Sequence, residues 1–205
     1  MVRTAGSLTA AIEALATIEP AFAKVIARLG PPEPRNSAPG AHTLLRTIVG
    51  QQVSVAAARS MWGRLEAAFG SPPDLARLLA ATDEELRAAG MSRQKAGYIR
   101  SLAGLVLSGE LDLQSLPADD EEAIALLTRI KGIGRWSAEI YLLLAEGRAD
   151  VFPAGDLAVM IELGRMLGLP QRPSEKQLRE LAEAWPPYRG AAAVLAWHSY
   201  NSPVL

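Results

Sequence analysis

The residues whose types and spacing could support chemistry gather between positions 126 and 160, in LLTRIKGIGRWSAEIYLLLAEGRADVFPAGDLAVM. Gly132, Ile133 and Gly134 separate two helical segments, which predicts a turn with backbone N–H groups exposed at the start of the second helix. Such a nest attracts an anion, and residues without a Cβ let a phosphate come close. Lys131 and Arg135 flank the turn and add charge, while Ile133 is expected to point inward and lock the helices together. The same pattern also serves as a plain connector between antiparallel helices. Beyond it, the loop Val151 to Asp156 ends on a single acid at a helix N-cap position. Asp156 can act as the cap, as a charge beside a reacting centre, or as both.

Much other chemistry is excluded by composition. The 205 residues contain no cysteine, so there is no disulfide, thiolate nucleophile or cysteine-held metal or iron–sulfur centre. The only imidazoles, His42 and His198, are far apart, and no side-chain metal site is expected. Hydrophobic residues make up 49% of the chain, enough for a real core in one large domain or two interleaved small ones. No apolar run approaches the roughly 20 residues of a bilayer span, and the N-terminus lacks a signal-peptide core. A soluble cytoplasmic monomer with no membrane partner is expected, nucleoid-associated if bacterial.

The net charge of −1 conceals an uneven distribution. Three acid-free stretches hold Arg35, Arg46, Arg59 and Arg64 (34–65), Arg87, Arg93, Lys95 and Arg100 (86–109), and Arg129, Lys131 and Arg135 (123–138). They sum to +11, so 21 − 11 leaves 10 basic residues against 22 acidic ones elsewhere. If they converge they form a positive face suited to phosphates; acid-free stretches also arise by chance in an Ala- and Leu-rich chain.

The elements that must position these residues are all helical. Ser7 is read as the cap of a helix carrying Leu8, Ile12 and Leu15, and Pro20 opens one carrying Phe22, Val25 and Ile26. PPEPRNSAPG (31–40) is a loop or hinge. Leu44, Leu45, Ile48 and Val49 form a short helix; Ser54 caps the next, leaving Gly50, Gln51, Gln52 and Val53 as a tight connection. Paired prolines at 72 and 73 open a helix, Thr82 with Glu85 makes a capping box, and Ser92 and Asp119 cap two further helices. A helix is expected over 136–146, another over 157–167, then one opened by the Ser174/Gln177 box and a last one carrying Val194, Trp197 and Tyr200. No stretch alternates with period two. The fold class is all-α, about ten short helices.

Taken together, the hairpin with its following VFPAGD, the segment LLRTIVGQQVS and the segment AEAWPPYRGAAAVLAW resemble the helix-hairpin-helix-GPD DNA glycosylase superfamily, and within it the AlkA-type 3-methyladenine DNA glycosylase II enzymes. The resemblance covers most of residues 40–200. It implies two interleaved subdomains: residues 1–40 with 135–205, carrying the catalytic Asp, and 41–134, carrying the Gln-Gln loop and hairpin. The extra N-terminal β domain of larger members has no room here. Also implied is a hydrolase acting in base excision repair on double-stranded DNA, which flips an alkylated purine (3-methyladenine, 7-methylguanine) into a pocket and leaves an abasic site.

Residue by residue, the resemblance makes Asp156 the catalytic carboxylate, stabilising oxocarbenium charge on the sugar. Trp136 and Trp197 become pocket aromatics, with Ile140 where the family pattern has Tyr. Gln52 falls at the position that plugs the gap left by the flipped base, and Lys131, Gly132, Ile133, Gly134 and Arg135 hold phosphate. Trp136 occupies the position of the Schiff-base lysine in members that cleave the backbone, so no lyase activity is expected. No cofactor is implied beyond a monovalent cation, Na or K, at the hairpin carbonyls. From residue types alone, all four tryptophans can equally be core, and Gln51 and Gln52 can merely satisfy backbone groups at a helix junction. Competing readings are a non-catalytic DNA-binding module, a helical interaction scaffold, and a glycosylase for mismatched or oxidised purines.

Overall fold

Each apolar stripe with a 3.6-residue period forms a helix in the structure, a computed structural model that describes residues 4–202. Among these residues there are twelve α-helices and no strand: α1 (Ala5–Ile18), α2 (Pro20–Leu29), α3 (Ala41–Gly50), α4 (Val55–Phe69), α5 (Leu75–Ala80), α6 (Asp83–Ala88), α7 (Arg93–Leu107), α8 (Asp120–Leu127), α9 (Arg135–Tyr141), α10 (Leu157–Met166), α11 (Glu175–Leu181) and α12 (Arg189–Asn201). Side-chain oxygens start six of them where the sequence places caps. Ser54, Thr82, Ser92, Asp119, Asp156 and Ser174 each accept an N–H from the first turn. Two starts differ: α1 is capped by Thr4, with Ser7 as the reciprocal partner in the capping box, and α5 begins at Leu75 behind the Asp74 cap, with the paired prolines in the turn before it. The helix expected over 136–146 divides into α9 and one π turn, Leu142–Glu146. No helix among the described residues is long and apolar enough to cross a membrane.

The chain separates into two compact units, residues 1–37 with 142–205, and residues 38–141. The division after Tyr141 places α9, with Trp136 and Ile140, in the central unit, whereas the boundary expected at 134/135 assigns it to the terminal one. In the terminal unit, α12 packs on α10 and α1. Its run Ala191 to Trp197 is buried, as befits a helix apolar on all sides. Phe22, Trp185 and Phe152 form a chain of edge-on ring contacts, with centroids 5.2 and 6.0 Å apart, so Trp185 is core.

The central unit is built on α3, which packs against α4, α7 and α9. Leu44, Leu45 and Ile48 of α3 are fully buried, as are Leu65, Leu102 and Ile130. Each such side chain contributes about 1.5–3 kcal/mol of burial. Trp62 is also core, with the Arg46 guanidinium 3.8 Å from its ring centre.

Candidate active site

Asp156 sits at the end of an unusually well-buried loop in the terminal unit. Val151, Phe152 and Ala154 are buried, and the Asp156 N–H donates to the Pro153 carbonyl at 2.9 Å. Two arginines brace the segment. Arg189 forks onto Asp150 at 2.9 and 2.6 Å, and Arg179 donates to the Phe152 carbonyl at 3.3 Å while pairing with Glu175. The carboxylate Oδ1 accepts the Val159 N–H at 3.0 Å, the N-cap bond, and the Trp197 indole N–H at 3.1 Å. Trp197 is only 7% exposed, and Arg35 lies 5.7 Å from its ring centre. A carboxylate fixed from two directions on a braced loop can stabilise a developing positive charge without reorganising.

The central unit carries two turns tied to each other. Gln51 donates its Nε2–H to the Gly132 carbonyl at 2.8 Å, linking the α3–α4 connection to the hairpin. Gln52, one residue on, is exposed, and at φ 56 it is the only non-glycine with positive φ among the described residues. That left-handed conformation costs a non-glycine residue about 1–2 kcal/mol, which singles Gln52 out for a role other than stability. In the hairpin, Ile133 is buried between the helices as expected. Gly132 has φ 85, and a Cβ there would overlap the Tyr98 ring; a Cβ on Gly134 would meet nothing within 4 Å. The first glycine is therefore fixed by packing, while the second leaves open room for an anion. Trp136 is 45% exposed and Ile140 half-buried on α9.

A model of the HhH-GPD superfamily of base excision DNA repair proteins matches residues 45–187. The chain belongs to that superfamily. It is 31% identical over 173 residues to DNA-3-methyladenine glycosylase 1 of Schizosaccharomyces pombe, across 78% of this chain and 75% of that protein. It is also 31% identical over 188 residues to DNA-3-methyladenine glycosylase 2 of Escherichia coli, across 85% of this chain and 64% of that protein. Among solved structures, an S. pombe 3-methyladenine DNA glycosylase in complex with abasic DNA superposes with a TM-score of 0.79 at 28% identity, covering 91% of this chain and 94% of that one.

Several side chains of this HhH-GPD protein do more than their positions imply. Arg135, expected at the phosphate, forks onto Glu121 and bonds Glu139 at 2.9 Å, and these carboxylates push its pKa further above its ordinary range. Its side chain is thus a strut of the hairpin. Arg100 and Arg129 are likewise paired, with Asp83 and Glu110. The expected positive face is narrower for it; among the described residues, Arg59, Arg87, Arg93 and Lys131 have no carboxylate within ion-pair distance. Sequence reasoning missed the Trp197–Asp156 bond and the placement of Lys95, which is 9% exposed beneath the Gln51–Gln52 turn. The i,i+4 spacing of Arg135 and Glu139 was the one local signal that Arg135 is engaged within its own helix. Among the described residues, no cluster of His, Asp or Glu could hold a metal.

Proposed function

We propose that the chain is a monofunctional DNA glycosylase that hydrolyses the N-glycosidic bond of alkylated purines such as 3-methyladenine and 7-methylguanine, leaving an abasic site. The observation that carries this reading is Asp156, held at Oδ1 by Val159 and Trp197 on a braced loop, in a chain related to proteins named 3-methyladenine glycosylases. The bond between the sugar C1′ and the base nitrogen breaks with its electron pair going to the base, whose positive charge makes it a good leaving group. The Asp156 carboxylate stabilises the oxocarbenium charge left on the sugar and orients the water that adds to C1′, whose surplus proton passes through the carboxylate to solvent.

Other residues serve extraction and grip. Gln52 enters the duplex and fills the gap left by the flipped nucleotide, hydrogen-bonding the orphaned base. Trp136, Trp197 and Ile140 hold the electron-poor purine, with Trp136 offering the open ring and Trp197 also tethering Asp156. The amides from Gly132 to Arg135, with Lys131, take a phosphate. A monovalent cation suits the hairpin carbonyls. Those of Ile130, Gly132 and Gly134 each accept one N–H, from Ile133, Gln51 and Ala138, and each keeps a second lone pair. Trp136 supplies no amine for a Schiff base, so the product keeps an intact backbone.

The test is release of methylated bases from alkylated duplex DNA by the native protein and by Asp156→Asn, with bases and strand breaks measured separately. The native protein releases 3-methyladenine and 7-methylguanine without strand cleavage, and Asp156→Asn binds DNA but releases neither. Release at the native rate by Asp156→Asn would sink the mechanism. DNA binding with no release by the native protein would favour a non-catalytic DNA-binding module.

A further inference from the structure

Three residues of α7 support both the α3–α4 connection and the hairpin turn. Lys95, Tyr98 and Ser101 lie three residues apart along one stripe of that helix. The Lys95 ammonium donates to the Val49 carbonyl at 2.7 Å. Val49 is the second-last residue of α3, where carbonyls lack partners within the helix and a cation is favoured by the helix dipole. The chain then turns through Gln51 into the left-handed Gln52. The Tyr98 ring fills the space beside Gly132 that a Cβ would need, and the Ser101 hydroxyl accepts the Lys131 N–H at 3.0 Å. A groove of about 930 Å³ is lined by Lys95, Gln51, Gln52, Tyr98, Gly132 and Trp136, among others.

Folding alone does not account for Lys95. Its side chain is nine-tenths buried, and burial lowers its pKa from the ordinary value. Among the described residues, its ammonium makes no hydrogen bond or ion pair apart from that to the Val49 carbonyl. A long apolar residue in the same place would avoid that desolvation, and buried charges are weak contributors to stability. What an apolar residue could not do is hold the last turn of α3 by a carbonyl, and that turn aims Gln52.

We propose that Lys95 is the positioning residue of the plug: held on the Val49 carbonyl, it fixes the turn from which Gln52 enters the duplex. Helix α7 thereby sets the spacing between plug and phosphate-holding hairpin. The inference rests on the reading of Gln52 as the plug.

The experiment measures affinity for a duplex carrying a tetrahydrofuran abasic analogue with 2-aminopurine opposite it, and for the undamaged duplex. The native protein prefers the abasic duplex and changes the 2-aminopurine fluorescence as the orphaned base is unstacked. Lys95→Met binds undamaged duplex within twofold of native, because Lys131 and the hairpin amides are intact. It loses about tenfold or more of the preference, together with the fluorescence change. Lys95→Arg, which restores a charged donor, recovers part of both. Lys95→Gln, a neutral donor of shorter reach, stands in if Lys95→Met does not fold.

Native preference and native fluorescence in Lys95→Met overturn the proposal. So does an equal loss of both affinities, or unfolding of both neutral variants, since Lys95 would then support the unit as a whole. Failure of the underlying reading looks different: the native protein itself shows no preference, or Gln52→Ala leaves the fluorescence change intact.

Discussion

Replacing Trp197 by Phe separates two roles that one side chain can have. The substitution keeps an aromatic ring but removes the indole N–H that Asp156 Oδ1 accepts at 3.1 Å, leaving the Val159 N–H at 3.0 Å as the remaining bond of this pair. A hydrogen bond to a charged group is worth about 1.5–3 kcal/mol. Expressed fully in the transition state, its loss slows base release about 10- to 150-fold. The smaller ring also leaves a cavity at a site only 7% exposed, costing on the order of 1–2 kcal/mol of stability, so rates are compared well below the variant's unfolding temperature. The assay is single-turnover release of 7-methylguanine from methylated duplex at fixed salt. Trp197→Phe should be slower than native yet faster than Asp156→Asn, and adding it to Asp156→Asn should cost little more, because both act through one carboxylate. Release within twofold of native refutes the tether. The contribution of Trp197 would then be its ring alone.

Other expectations follow from the same geometry. Gly132→Ala lowers the unfolding temperature, because φ 85 and the Tyr98 ring both oppose a Cβ, whereas Gly134→Ala leaves stability unchanged and weakens duplex binding in fluorescence anisotropy. Lys131→Ala reduces the slope of log affinity against log salt by about 1, while Arg135→Ala leaves the slope nearly unchanged and destabilises the hairpin. Gln52→Gly relieves the left-handed strain and stabilises the protein by about 1 kcal/mol in denaturant unfolding, at the expense of base release. Burial lowers the Lys95 pKa from 10.5. Between the folded value and 10.5 the unfolded chain binds more protons, so native stability rises with pH through that window. Denaturant titrations across alkaline pH should show this rise in the native protein and lack it in Lys95→Met.

What could be read from the sequence was what is encoded within a few residues. Caps such as Ser54, Ser92 and Asp156 are local hydrogen bonds, and their positions follow from residue type and the apolar run behind them. The shifted cap of α1 has a local reason too. In Thr4-Ala5-Gly6-Ser7 both hydroxyls take part in the capping box, and the sequence does not say which of them leads. The π turn after α9 was hidden because Leu142, Leu143 and Leu144 are apolar in any helical register. Bonds that close over distance were not readable at all. Trp197 meets Asp156 across 41 residues and Lys95 meets Val49 across 46, so the sequence shows neither the second contact of Trp197 nor the burial of Lys95. For Lys95 the error was one of kind, since a cation in an acid-free stretch reads as surface whenever its acceptor is a backbone carbonyl.

The places where this chain departs from local rules in the central unit are concentrated. Gln52 occupies a glycine-like conformation, Lys95 buries an ammonium, Gly132 lets a ring press on its backbone, and Gln51 caps a carbonyl of another element. Each is mildly unfavourable or indifferent for folding taken singly, and each belongs to the same pair of turns. Elsewhere the unit has capped helices and a leucine-rich core, with isolated departures such as the buried Trp62 indole N–H and the Arg64 side chain pressed on Gly90 at φ 89. Departures scattered at random would be explained by packing accidents. Four departures gathered at two connected turns mark where shape is held against the preferences of the chain, as the proposed plug and phosphate nest would require. Asp156 is different, because its N-cap bond is favourable by the usual rules. The proposed catalytic role would therefore cost the fold little, and the Trp197 indole N–H on the same oxygen is a contact that capping does not explain.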